Sequence, residues 1–156
     1  MNWIIALGAA ASFFAGILAG MEVAIHYGLR RPIEVLDDRS RLQLRQALVA
    51  RLRVLVPAIF APTMLFGLTA TILGGLAPAG WWRCVGMAAL IVWIAIRVVG
   101  TVPINKATMD WDLASPPADW KTQVDRAERF HIVGVWAWVL AFAAFLVALT
   151  LGPARP

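Results

Sequence analysis

Residues 3–24 read WIIALGAAASFFAGILAGMEVA, an apolar run interrupted by one hydroxyl, Ser12, and one carboxylate, Glu22. About 20 helical residues cross the ~30 Å hydrocarbon core of a bilayer at 1.5 Å each, so this run alone is long enough to span. Residues 54–77, 81–103 and 132–151 repeat the pattern. A soluble domain of 156 residues has no interior large enough to hide four such runs. The sequence therefore predicts an all-α fold: a four-helix transmembrane bundle forming a single integral membrane domain over 1–156, with spans of about 3–27, 54–77, 81–103 and 131–152. No Lys or Arg precedes the first run, which is also too long for the apolar core of a cleavable signal, so it reads as a permanent span.

Composition agrees: 61% of the residues are hydrophobic and 15% charged, against about 25% charged in soluble domains. Cys84 is the single cysteine, which excludes an internal disulfide and reads as packing. Of fourteen Lys and Arg, seven lie between spans one and two (Arg30, Arg31, Arg39, Arg41, Arg45, Arg51, Arg53) and four between spans three and four (Lys106, Lys121, Arg126, Arg129). The positive-inside rule puts both segments in the cytoplasm and both termini outside, with Arg83 and Arg155 the cations on the outer side and Trp3, Trp81 and Trp82 at an outer aromatic belt. The net charge of +5 then points to anionic lipid head groups as partners and, with no nucleic-acid motif present, not to nucleic acid.

Both inner segments exceed the 2–8 residues usual between bundle helices. From Ser40 to Arg53, Leu42, Leu44, Leu48, Val49 and Leu52 interleave with Arg as a basic amphipathic helix lying on head groups and running into span two. Pro57 and Pro62 each remove a backbone donor and predict a kink. Pro103-Ile104-Asn105 reads as the end of span three, Met109 to Asp112 as a surface turn, and the 78–80 stretch Pro-Ala-Gly as the outer turn. Ser115 with Pro116 and Pro117 reads as a helix start, and Trp120, Val124, Ala127 and His131 form one stripe facing the protein.

Span one has a face of small residues, Gly8, Ser12, Ala15, Gly16, Ala19 and Gly20, for close helix approach, and a bulky one, Leu7, Phe14, Ile17, Leu18, Met21 and Ile25, for lipid. Glu22 and His26, four residues apart, edge the small face. A charge near hydrocarbon is costly, by ~2.5–3.5 kcal/mol at a helix centre, so Glu22 needs a partner, and Arg97 in span three lies at matching depth. Spans one and three end where two and four begin, and there Glu22, His26, Arg97, Asn105, Glu128, Arg129 and His131 can line one pocket. Cofactor content is unknown from the sequence: a single metal on His26, His131 and one carboxylate fits the 2-His-1-carboxylate pattern, and Glu128-x-x-His131 has the spacing of carboxylate-bridged dimetal bundles. Without metal, His26 or His131 suits a general base and Arg97 or Arg129 an oxyanion holder. Trp93, Trp136 and Trp138 read as packing or lipid-facing residues.

Four spans in this length, Pro103-x-Asn105 closing span three, the Trp111 and Trp120 loop, and Arg129 with His131 opening span four together resemble the anthrone oxygenase-like family of small membrane proteins over nearly the whole chain. The resemblance implies a cofactor-independent oxygenase acting on a hydrophobic phenolic substrate, with Asn105, Arg129 and His131 as its site residues; depth adds Glu22, His26 and Arg97. Gly134, and the Glu128-Arg129-Phe130 stretch before His131, depart from the family pattern, which commonly has an Arg at the first position and a Trp close before the His. Two other readings stand beside it: a structural or accessory protein, possible as a homo-oligomer joined through lipid-facing surfaces with Glu22 and Arg97 as internal glue, and a small proton-coupled carrier exchanging protons at Glu22 and His26.

Overall fold

The computed structural model describes residues 3–76 and 78–152; Arg155 and Ala77, the last residue of the expected second span, lie outside them. The described residues are 90% helical and include no strand. Four long helices, α1 (Trp3–Glu34), α2 (Asp38–Gly74), α3 (Pro78–Asp110) and α4 (Trp120–Leu151), are each long and apolar enough to cross a membrane. This is a small four-helix integral membrane protein. At 32 to 37 residues each, the helices outlast a ~30 Å hydrocarbon core. The excess projects at the end carrying most of the Lys and Arg, the basic end.

Local chemistry fixes the joints. Asp37 stands extended (φ −61°, ψ 158°) and its carboxylate accepts from the amides of Arg39 at 3.1 Å and Ser40 at 3.0 Å, capping α2 two residues before the expected start. Hydrogen bonding from Ser40, its hydroxyl foremost, holds the Asp37 carboxyl below the usual carboxylate range. α2 runs through Pro57 and Pro62 as one assigned helix and ends at Gly75, whose φ of +62° only glycine adopts without strain. The outer turn thus lies at Gly75 and Leu76, while the stretch from Pro78 to Gly80, expected to be the turn, already belongs to α3. Proline suits a first helical position because its missing N–H has no intrahelical partner there.

Arg83, one of the two cations expected on the outer side, is buried and donates to the Gly75 carbonyl at 3.2 Å. α3 also continues past Pro103 to Asp110. Ser115 does not cap α4: its hydroxyl donates to Asp112 at 3.0 Å, and the helix starts at Trp120, five residues later. The Asp112 carboxyl is held below its ordinary range by the Ala114 amide first and the Ser115 hydroxyl second.

Packing follows an up-and-down ring. α1 lies against α2 and α4, α3 mainly against α4, while α2 and α3 meet least closely of the neighbouring pairs. Ala15, Leu18, Leu90, Trp93, Trp138, Ala141 and Phe145 make the interior, and Leu65, Ile72, Val99 and Trp136 are exposed. In lipid these exposed apolar side chains cost nothing, and small residues at the contacts let the helices approach. The small face of α1 is only partly used: a Cβ on Gly16 would stand 2.9 Å from the Phe142 ring, whereas Gly20 faces open space and Leu18, assigned by its bulk to lipid, is fully buried. At the basic end Leu42, Trp120 and Val124 form a second core cluster under Trp111 and Leu113.

Two turns depart from α geometry. Ala24–Leu29 in α1 and Arg97–Thr101 in α3 are π-helical, each accommodating an inserted residue. Single π turns inside α-helices concentrate at functional sites. The second is seated by Gly100, where any Cβ would collide with the ring of Phe130 on α4.

Candidate functional site

The two π turns carry His26, Arg97 and Thr101, three of the polar residues of the bundle interior. Glu22, 1% exposed, ends the last α turn before the first π turn, and His26 lies within it. Arg97 opens the second. Its Nη2 reaches Glu22 Oε1 at 3.6 Å, the pair that depth in the sequence anticipates. From α4, His131 presents Nδ1 to both members: Arg97 Nη1 lies 3.4 Å away in hydrogen-bonding geometry. Glu22 Oε2 is 3.2 Å from the same nitrogen and makes no hydrogen bond. Arg97 can only donate, so its hydrogen bond to Nδ1 belongs to the tautomer that carries the proton on Nε2. Three helices thereby share one carboxylate, one guanidinium and one imidazole. A carboxylate this buried needs such company.

A second group lies beside the first. Arg45 of α2 joins Glu128 of α4 at 3.3 Å and Asn105 of α3 at 3.2 Å. His26 stands 3.9 Å from Glu128 through Nδ1, too far for a hydrogen bond. The rings of His26 and His131 are 5.5 Å apart, which brings the two groups into contact. Gln46 then ties α2 to the end of α3, donating to the carbonyls of Thr108 at 2.9 Å and Trp111 at 3.0 Å.

Where α2 and α3 part, a cleft of about 720 Å³ opens, and Glu22, Arg97 and His131 line it. That size suits a drug-sized or polycyclic ligand. Its apolar wall includes Val56, Phe60 and Trp93, with Phe60 and Trp93 stacked at 5.0 Å between ring centroids. Arg97 sits 5.3 Å over the Trp93 ring, joining the apolar wall to the charged group. Arg53 and Lys106, both exposed, also line the cleft. Val98 and Val102, which also line it, are more than half exposed.

The structure brings together Glu22, His26, Arg97, Asn105 and His131 among the residues nominated from sequence. It does not bring Arg129: this side chain is exposed and does not line the cleft, while its neighbour Glu128 does. At 100° per residue a one-position step turns a side chain off the shared face. Among the described residues no three His, Cys, Asp or Glu side chains stand where they could hold one metal ion; Glu22 and His131 contact Arg97, and Glu128 pairs with Arg45. Arg45, Phe60 and Thr101 were not singled out, and Trp93 was read as packing or lipid-facing. For Arg45 a signal exists: it occupies the apolar register Leu42, Val49, Leu52, Val56, a position a solvated arginine avoids.

No protein family, curated protein or solved structure matches the chain.

Proposed function

We propose that the protein is a membrane-embedded oxygenase that takes a hydrophobic phenolic substrate from the bilayer into the cleft between α2 and α3 and oxidises an activated carbon next to its ring. The observation that carries this reading is the contact, in one cleft, of an aromatic wall (Phe60, Trp93) with a buried carboxylate–guanidinium–imidazole group. The resemblance of the Pro103 to His131 region to the anthrone oxygenase-like proteins supports it. On the positive-inside rule, the site faces the cytoplasmic side.

The chemistry asks for three things. A base must remove a C–H proton from the carbon between two rings, and Glu22 Oε2, without a hydrogen-bond partner, is the acceptor, with His131 3.2 Å away to pass the proton on. A positive donor must hold the phenolate oxygen as charge develops there, and Arg97 and the Nε2–H of His131 are suited to it. The apolar wall excludes water from the resulting carbanion. The carbanion then gives electrons to dioxygen and forms a C–O bond as a peroxide; loss of water from the peroxide leaves a carbonyl. In sum, a methylene and O₂ become a ketone and water.

The test is direct. Purified protein in detergent is mixed with an anthrone and quinone absorbance is followed; wild type turns over, and Glu22→Gln and His131→Ala each lose most of the rate. A rate unchanged in both variants, and in His26→Ala, removes the assignment. One observation favours a second reading, an accessory bundle without chemistry: Arg45, Asn105, Glu128 and His26 tie all four helices at the basic end. Absent turnover together with intact folding of the wild type favours that alternative.

A further inference from the structure

Besides His131, seven charged side chains line the cleft, four cations and three carboxylates. Two of the carboxylates are already engaged, Glu22 with Arg97 and Glu128 with Arg45. That leaves Arg53 of α2 and Lys106 of α3 with a single acid, Asp110. Neither cation has an ion-pair or hydrogen-bond partner among the described residues, and both are exposed.

Their place along the helices sets them where hydrocarbon begins. Arg53 is the last charged residue of α2, since residues 54–74 carry none, and its neighbours Val54 and Leu55 are exposed. Lys106 follows the exposed Val98, Val99 and Val102 on α3. A cation at such a boundary is kept charged by water or by an anion beside it. Direction brings the two together. α2 and α3 run in opposite senses and Arg45 of α2 meets Asn105 of α3, so Arg53, further along α2, lies deeper than Lys106. Cα–Cβ bonds tilt toward a helix N-terminus. Arg53 therefore leans toward the basic end, where α2 begins, while Lys106 leans back toward the bundle, because α3 ends there.

The lining between these cations and the interior is apolar and open to a ligand. Leu52, Pro57 and Phe60 on α2 and Ile94, Val98 and Val102 on α3 are all partly or fully exposed. Phe60 lies seven residues from Arg53, ~10 Å along the axis at 1.5 Å per residue. Apolar walls with two unmatched cations at one end fit a molecule with an apolar body and an acidic head.

We infer that the cleft selects ring compounds that carry an acidic group, such as a carboxylate, held by Arg53 and Lys106 while the rings lie against the apolar wall at Phe60. The inference rests on the reading of the cleft as an aromatic-substrate site and concerns binding alone. Arg53 and Lys106 hold the end of the molecule remote from Glu22 and His131, and neither touches the reacting carbon. An acidic group on an apolar body is also the chemistry of an anionic phospholipid, which the experiment separates from a free aromatic acid.

Binding of 1-pyrenebutyrate, 1-pyrenebutanol and 1-pyrenebutylamine to the full chain in phosphatidylcholine nanodiscs, corrected for partition into empty discs, tests this. The acid is expected to bind roughly tenfold more tightly than the alcohol, the worth of two exposed ion pairs, and the amine more weakly than either. Arg53→Gln and Lys106→Gln each lower the preference for the acid roughly threefold and together abolish it, the alcohol binding as before. Asp110→Asn raises it. Arg51→Gln with Arg126→Gln, which removes two exposed cations that do not line the cleft, leaves it unchanged. Equal binding of acid and alcohol by the wild type, which needs no variant to fold, overturns the inference. So does a preference lost equally in the Arg51 and Arg126 variant, which makes it a property of surface charge. Discs containing phosphatidylglycerol identify the owner of the head: a preference that persists keeps the aromatic acid, and one that vanishes gives the two cations to lipid and overturns it. Acid preference with no anthrone oxidation in the wild type fails the oxygenase and keeps this site, while oxidation without the preference does the reverse.

Discussion

Replacing Glu22 by Gln and Arg97 by Gln, singly and together, asks whether the buried group behaves as one ionic unit. Glu22 is 1% exposed and lies 3.6 Å from Arg97, whose side chain is 14% exposed. Removing one partner of a buried pair leaves an uncompensated charge and costs about 3–5 kcal/mol; the partial exposure of Arg97 and its seat on Trp93 argue for about 3. Each single variant should therefore lower Tm by about 6–12 °C, taking ~2–4 °C per kcal/mol for a chain of this size. In the double variant no charge is stranded, and two amides of similar volume can bond to each other and to His131. Its loss should not exceed that of one single variant, a coupling of about 3 kcal/mol, at the upper end of what neighbouring residues show. The assay is thermal unfolding of the purified protein in one detergent, followed by far-ultraviolet circular dichroism. Additive losses, with the double variant down by about 6 kcal/mol, would refute the idea that Glu22 and Arg97 stabilise each other. The same double variant separates adhesive from chemistry: if Glu22 takes the substrate proton, a well-folded Glu22→Gln/Arg97→Gln protein still shows no turnover.

Three further outcomes follow from single contacts. Gly100→Ala pushes a methyl into the Phe130 ring and should cost about 1–3 kcal/mol, with part recovered by Phe130→Leu in the same chain, read by the same melts. Arg45→Ala should cost about 1.5–3 kcal/mol by stranding Glu128 and Asn105, whereas exposed Arg129→Ala should stay within about 0.5 kcal/mol and leave anthrone turnover, if present, unchanged; equal effects in the two would undo the assignment of Arg45 to the site. The Asp37 cap stabilises the start of α2 while ionised, and its pKa is depressed in the fold, so the contribution is complete above the unfolded value of about 3.9 and is lost as pH falls through the lower folded value. Hydrogen-exchange protection of the Arg39 and Ser40 amides should drop across that acid window, and Asp37→Asn should remove the pH step while keeping a neutral cap.

The spans were legible because lipid imposes one requirement, length without charge, that any reading of hydropathy detects. The pairing of Glu22 with Arg97 was legible for a related reason: two charges at one depth on helices that face each other across a four-helix ring have few alternatives. Helix ends were less so. Pro103 looked like a terminator because proline stops an α-helix that needs its N–H, yet here it falls two residues after a π turn, where the helix has already been re-registered. Ser115 had the right residue type for a cap, but the Asp112 carboxylate captured its hydroxyl. Arg129 and Glu128 differ by one position, and only the packed rotation of α4 decides which of them reaches the cleft.

The misreading at Pro103 goes back to an inserted residue. Hydrophobic periodicity near 3.6 describes both α1 and α3 well, and a single extra residue leaves that pattern almost intact over a long apolar run. Its structural effect is large nonetheless. The π turn in α3 rests on Gly100 against Phe130, begins with the arginine that pairs with Glu22, and ends with the threonine whose hydroxyl loses its usual carbonyl. The one in α1 begins two residues after Glu22 and holds His26 beside His131. A regular bundle satisfies its backbone and its threonines internally and has little left to offer a ligand. Each π turn gives up that self-sufficiency over about one turn and leaves a buried polar atom without a hydrogen-bond partner, His26 Nδ1 in the first and Thr101 Oγ1 in the second. On the proposed reading, the irregularity of α1 and α3 is what sets the polar group of this interior beside the cleft.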